Sequence, residues 1–300
     1  MKRNIRLAML AVILTTGSLL ALNVTASGPI QKEDISVTPF TRLDVRTQFD
    51  VYLSQGDKED LVLETYKSLK PYVKVEQNGN TLNIFLDRKI NNIHWMGQER
   101  VLRVYVTVKE IEKVSLSGAC DLYMETDLKA GEFRIDASGA SDLNMKKVSA
   151  KKISINTSGA SDLRDAQLDA EDIYVNASGA SDGNLSLTAV TARIIASGSS
   201  DFDITADVDK LRIDALGSSD FHAQGRADDL ILNVSGSSSM QAADLKTVNA
   251  EVDASGSSDC RVQVSGFLKA SSSGASSIYY TGLPRETSIS VSGVASVKSK

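Results

Sequence analysis

The sequence predicts an all-β chain wound into a right-handed parallel β-helix, with one turn for every 18–21 residues. Two observations predict it. The first is a recurring pentapeptide. Ser138-Gly139-Ala140-Ser141-Asp142 returns at 158–162 and 178–182, and looser copies follow at 197–201, 216–220 and 255–259. With degenerate copies included, the glycines fall at 118, 139, 159, 179, 198, 217, 236, 256, 274 and 293. A fixed period of this size marks a solenoid in which each repeat is one rung. The second observation is alternation. Each glycine follows an apolar-x-apolar-x-small run, as in Phe133-Arg134-Ile135-Asp136-Ala137 and Ile173-Tyr174-Val175-Asn176-Ala177. Period two is the signature of a strand with one face buried.

After each Asp position comes a second short alternating run, such as Leu143-Asn144-Met145 or Phe202-Asp203-Ile204. A third apolar point falls near Val148, Leu168, Leu187, Val208 and Leu245. Each rung is therefore expected to hold two or three short strands joined by tight bends. Stacked rungs place like over like, with Ile135 over Ile155, Val175, Ile194 and Ile213. Such ladders bury a core that no single rung could bury. Aromatics make up only 5% of the chain, so the core must be aliphatic.

The pentapeptide has a structural explanation. Glycine permits positive φ or close backbone approach, so the chain can turn sharply. Ala and Ser leave room where rungs crowd. Ser and Asp side chains accept hydrogen bonds from backbone N–H groups that a bend leaves unpaired. Neither a six-residue period nor a nine-residue calcium-binding glycine repeat is present, which points to the right-handed form.

At the N-terminus, residues 1–26 read as a secretory leader. Lys2, Arg3 and Arg6 precede an apolar run from Leu7 to Leu22, and Val24-Thr25-Ala26 offers a peptidase site. The run contains Thr15, Thr16, Gly17 and Ser18 and is short beside the ~20 apolar residues of a spanning helix. Residues 27–39 read as a linker and 40–300 as the β-helical domain, irregular over 40–113 and regular over 114–300. Losing the three positive charges of the leader takes the net charge from −5 to −8. With no basic run, nucleic acid is excluded as a partner.

Within the irregular part, Leu43, Val45, Thr47, Phe49, Val51 and Leu53 alternate as one strand, and Gln55-Gly56-Asp57 ends it. Apolar runs at 73–75 and 82–86 flank Gln77-Asn78-Gly79-Asn80, a hairpin signal. Leu102, Val104, Val106 and Val108 form another strand. Lys89–Arg100, with His94 and the only tryptophan, Trp95, reads as a loop leaving the body. It is a candidate ligand loop.

Cys120 and Cys260 lie seven repeats apart, roughly 34 Å along the axis at ~4.8 Å per rung. A disulfide needs Cα atoms within about 7 Å, so no intrachain bridge is expected. Cys260 stands where other rungs carry Leu or Phe and is expected in the core.

The ordered segments resemble a known family. Phe40-Thr41-Arg42-Leu43-Asp44-Val45, Phe49–Asp57, Thr81-Leu82-Asn83-Ile84, Val104–Val108 and Val114–Ala119, followed by the Ser-Gly-Ala-Ser-Asp repeats, are similar to the auto-transporter adhesin head, or GIN, domain. The resemblance spans roughly residues 40–280. It implies an exported β-helical protein and brings no catalytic residues.

No catalytic pattern is present. His94 and His222 lie in separate regions, and no Ser/His/Asp, zinc-spaced or phosphate-loop arrangement occurs. The acidic column Asp121, Asp142, Asp162, Asp182, Asp201, Asp220 and Asp259 could place carboxylates one rung apart. Of these, Asp142, Asp162, Asp182 and Asp201 are the candidate Ca²⁺ ligands. A feature repeated rung after rung reads as architecture, so no metal and no cofactor is expected. The function expected is an exported, non-catalytic adhesin-like or cell-envelope protein that binds a glycan or protein, or self-associates through its end rungs. The alternative is a carbohydrate-active enzyme or a Ca²⁺-dependent glycan-binding protein on the same scaffold.

Overall fold

The computed structural model describes residues 22–96 and 99–300. The expected ladder is its spine. Ile135 pairs in register with Ile155, Ile155 with Val175, Val175 with Ile194 and Ile194 with Ile213. The same column continues to Leu232 and Val252, and all seven side chains are buried. The chain makes about nine turns of right-handed parallel β-helix around one continuous apolar core. Aromatics stack likewise. Phe202 lies on Phe221 at 5.4 Å between ring centroids, and Tyr52 lies between Tyr105 and Tyr123 at 4.8 and 5.1 Å. Cys120 and Cys260 are buried free thiols.

In one respect the rungs differ from expectation. In the central turns the short strands merge into single bent strands: Leu163–Gly179, Gly183–Gly198, Asp201–Gly217, Asp220–Gly236 and Ser239–Ala254. Because successive rungs bend at equivalent positions, most backbone groups keep their partners above and below through the bend.

The glycine corner explains the repeat. Gly139, Gly159 and Gly179 have φ of 101°, 94° and 105°. The carbonyl of each glycine points along the axis and accepts the N–H of the residue after the next corner glycine, as in Ala160 N to Gly139 O and Ala180 N to Gly159 O, both 2.8 Å. A Cβ at Gly159 would lie 2.2 Å from the Gly139 oxygen. Both the left-handed backbone and the close approach require glycine.

At the N-terminal end the order of strands departs from the order of the chain. The strands are β1 (Leu22–Ala26), β2 (Ile30–Asp34), β3 (Arg42–Thr47), β4 (Asp50–Gln55), β5 (Asp60–Tyr66), β6 (Val73–Asn78), β7 (Thr81–Leu86), β8 (Ile90–Trp95), β9 (Leu102–Val108), β10 (Lys113–Gly118) and β11 (Asp121–Met124). The run expected as one strand from Leu43 to Leu53 is two, β3 and β4. It breaks at Thr47, which has φ 93° and occupies the corner beneath Gly118. Here no corner glycine lies beneath, because β7, on the far side of β3, pairs only with Arg42–Val45.

On one side of β3 and β4 lie β10 and β11. On the other lie β7 and β9, also parallel, although they come later in the chain. Antiparallel strands close this end: β6 on β7 through the expected hairpin, β5 on β9, and β2 on β5. They satisfy strand edges that would otherwise be open.

The segment expected as a loop leaving the body, Lys89–Arg100, is a paired strand over residues 90–95. Residues 90–95 form β8, which pairs in parallel with β1 and buries Ile93. Its partner comes from the end of the segment read as a leader, and Val24 and Ala26 of β1 are buried with it. The rest of the leader, residues 1–21, lies outside the described residues. At the opposite end the strand Glu286–Val291 pairs with Phe267–Ser272. Ile289, Val291 and Val294 around it are exposed. No helix among the described residues is long and apolar enough to cross a membrane.

The corner yields a test. Gly179→Ala is expected to lose about 1–2 kcal/mol from left-handed strain alone, with a further loss from overlap with the Gly159 carbonyl. Gly131→Ala, with open space around it, should stay within about 0.5 kcal/mol of wild type. Urea denaturation of the two variants checks this, and equal midpoints would refute the steric account.

Candidate functional site

The polar half of the pentapeptide is divided between interior and surface. Its second Ser (141, 161, 181, 200, 219, 238 and 258) is buried in every copy. Several of these hydroxyls donate to the carbonyl three residues back, at 2.9 Å for Ser258 to Ser255 and 3.0 Å for Ser238 to Ser235. Some also accept the N–H of the same position on the preceding rung, as Ser238 does from Ser219 at 3.2 Å. Cys120 belongs to this column, its Sγ 3.5 Å from Ser117 O. Burial pushes its thiol up to about 11, so it behaves as a packed group.

The Asp side chains face outward and cap the backbone. Asp142 N donates to Asp121 Oδ1 at 3.0 Å, Asp182 N to Asp162 at 3.3 Å, and Asp201 N to Asp182 at 3.2 Å. Arg164 bridges Asp142 and Asp162, at 2.9 Å from each. Burial and then the neighbouring Asp121 and Asp162 charges raise Asp142, against the pull of Arg164. The four candidate Ca²⁺ ligands thus form a column with one carboxylate per rung. Among the described residues no group of three or more His, Cys, Asp or Glu side chains is placed to hold a metal.

The structure does not bring His94 or Trp95 to this column. His94 is exposed on β8. Trp95 packs edge-on against Tyr66, with centroids 6.2 Å apart, as a plug over the closed end. His222 is half-exposed, its Nδ1 3.5 Å from Asp203 Oδ1. It lines a shallow acidic depression of about 620 Å³ with Asp182, Asp201 and Asp220.

A predominantly apolar recess had not been anticipated. It is a groove of about 700 Å³ along the strand face that precedes each glycine corner. Its floor is Ile173, Ala192, Leu211, Leu230 and Ala250, stacked in register. One wall is the column Lys152, Asp172, Thr191, Lys210, Asp229, Asn249 and Phe267, and the other includes Tyr174, Arg193, Arg212, Ile231 and Glu251. Outward side chains on either side of an inward one form the two walls because strand positions alternate. A trace is visible in the sequence. Phe267 occupies a position that other rungs fill with a polar or charged residue, and it is exposed.

Most polar groups of the walls are engaged with one another. Thr191 donates to Asp172, Asn249 to Asp229 at 2.9 Å, and Lys269 to Glu251 at 2.5 Å. Arg193 and Arg212 both hold Asp214, each at 3.0 Å. Burial pushes Asp214 up, but hydrogen bonds from Arg212, Asn233 and Arg193 outweigh it, so its carboxyl lies below the ordinary range. Lys152 and Lys210 form no ion pair among the described residues.

The fold is a β-solenoid with a groove along one strand face. The family model described as "Putative auto-transporter adhesin, head GIN domain" matches residues 39–188 and 171–284, and the chain belongs to this family. No curated protein matches it. A solved structure titled as a putative adhesin from Parabacteroides merdae is similar at 17% identity and TM-score 0.54, covering 93% of this chain and 99% of its own. Another putative adhesin, from Parabacteroides distasonis, is similar at 20% identity and TM-score 0.55, covering 92% and 100%. A third, titled as a putative lipid binding protein from the same species, has 20% identity and TM-score 0.48, covering 92% and 100%. At these identities the likeness concerns the fold.

Asp214 gives the second test. Its folded pKa lies below the unfolded value of ~3.9. Its contribution is therefore complete above that value and is lost as pH falls through the folded pKa. Asp214→Ala should lower stability by about 2 kcal/mol at pH 7. The difference from wild type should shrink on titration below about pH 4. A gap that is constant with pH would show that packing, not the carboxylate, is responsible.

Proposed function

We propose that the protein is an exported, non-catalytic, adhesin-like binding protein of the cell envelope, and that the long groove is its ligand contact. The observation that carries this reading is the groove itself, which runs over seven rungs on a rigid face from Lys152 to Phe267. A site of this form recognises an elongated ligand by shape along its length. Catalysis calls for convergent titratable groups, whereas here the carboxylates are paired or cap backbone and the two histidines lie apart. Membership of an adhesin family and the leader-like residues 1–26 support export. In this reading the leader is removed after Ala26. That step takes β1 away and leaves β8 as an edge, an event read directly from the mass of the mature N-terminus.

The test uses purified protein on arrays of glycans, envelope lipids and surface proteins, together with protease accessibility on intact cells. Ile231→Trp, which fills the groove from its wall, should abolish capture of whatever the wild type retains. His94→Ala should leave it intact. Undiminished capture by Ile231→Trp would remove the groove from the function.

A further inference from the structure

We infer that two copies of this chain join end to end through the rung of Glu286–Val291 and Ser296–Ser299, related by a two-fold axis through the Gly293 corner. This surface is separate from the groove. Three observations lead there.

The first is an open edge. Glu286–Val291 and Ser296–Ser299 lie parallel to Phe267–Ser272 and Ser277–Thr281, and among the described residues no strand pairs with their outer side. The N–H groups of Ser292, Ser296 and Lys300 donate back to Ser272 O, Ser276 O and Tyr280 O. In a parallel ladder alternate residues bond to the same neighbour. Thr287, Ile289, Val291, Val297 and Ser299 therefore turn their N–H and C=O groups to the open side. The core opens here as well. The column that is buried at Val252 and Ala270 reaches solvent at Ile289, and Val291 and Val294 beside it are exposed. Backbone donors and acceptors around an aliphatic centre call for another strand-bearing surface.

The second is that the rung matches itself. A two-fold axis across the solenoid reverses the sense of winding. The strand before Gly293 then lies antiparallel to the strand after Gly293 of the other copy. Residues equally far before and after the corner stand opposite, so Ile289 meets Val297 and Thr287 meets Ser299. All four are edge-facing, as the hydrogen-bonded pairs of an antiparallel ladder require. Ile289 and Val297 also continue the buried Ala270 and Ile278 columns, so they meet on the core side. The opposite end offers no such match to a head-to-tail stack. Its covering strands β2 and β6 carry Lys32, Glu33, Asp34, Lys74 and Glu76, which break the apolar pattern a further rung would need.

The third is charge. In this arrangement Glu286 stands opposite Lys300 of the other copy, with Lys298 diagonal to it, and the symmetry repeats the contact. Within its own chain Glu286 lies over Phe267, and Lys298 and Lys300 lie beside Tyr279. None of the three forms an ion pair among the described residues.

Sedimentation velocity of the purified protein over a dilution series tests this. A reversible species of twice the monomer mass is expected. Ile289→Pro should abolish it, and the fold should survive because that N–H has no partner in its own chain. Glu286→Lys should weaken the dimer by about tenfold, since two exposed pairs are lost. Adding Lys298→Glu and Lys300→Glu to it should restore the dimer, which unspecific apolar contact would not do. Ile231→Trp, in the groove, should leave the dimer unchanged. Thermal melts check that each variant is folded. A monomer at every concentration would overturn the proposal, as would a series of higher oligomers, which needs a head-to-tail contact. A dimer that persists in Ile289→Pro, or that the exchanged charges fail to restore, would overturn this interface.

Discussion

The structure depends on one contact repeated along its axis: the carbonyl of a corner glycine accepting an N–H from the rung above. It appears as Gly118 O to Ala140, Gly139 O to Ala160 and Gly159 O to Ala180, each at 2.8 Å. The bond requires the peptide plane to stand along the axis, and that orientation requires positive φ. The oxygen then occupies the volume that a Cβ on the next corner residue would need. The constraint passes from rung to rung, so one non-glycine residue is tolerated only at the bottom of the stack. Thr47 is that residue.

In-register stacking creates a difficulty that the surface residues answer. Matching side chains lie ~4.8 Å apart along the axis, which suits Ile over Ile and opposes Asp over Asp. The carboxylate column offsets its own repulsion by accepting backbone N–H bonds and by sharing Arg164 between two rungs. Asp214 is held by two arginines and Asn233. The same rule shapes the groove. Its walls carry acids, amides and cations, several of which bond to one another along the axis.

This division explains what could be read from the sequence. The corner glycines, the ladder from Ile135 to Ile213, the hairpin at Gly79 and the separation of the two thiols follow from period and alternation, which are local signals. The pairing of β8 with β1, the insertion of β7 and β9 beneath β3 and β4, and the break at Thr47 are tertiary. Leu43–Leu53 alternates across its corner without interruption, so nothing local marks the bend. The groove was missed for a related reason. Its floor residues read as core, its walls read as ordinary solvated polar positions, and only columns taken across rungs show that they form a channel. Cys120 illustrates the converse. Set against the pentapeptide Ala-Ser-Asp, the sequence Ala119-Cys120-Asp121 already places it in the serine column.

A stack of parallel, matched rungs contains no intrinsic stop, because each finished turn presents the edge that the next would use. The two ends differ in how they meet this. At the closed end β2, β5 and β6 run antiparallel to the strands they cover. An antiparallel strand changes both the hydrogen-bond spacing and the side-chain alignment that a further parallel rung would need, so it ends the repeat as well as covering it. At the other end, Glu286–Val291 keeps the parallel register and the apolar-inward pattern, with Ile289 continuing the column of Ala270. The groove is bounded by Phe267, one rung short of that strand. The groove is thus contained within rungs that have neighbours on both sides.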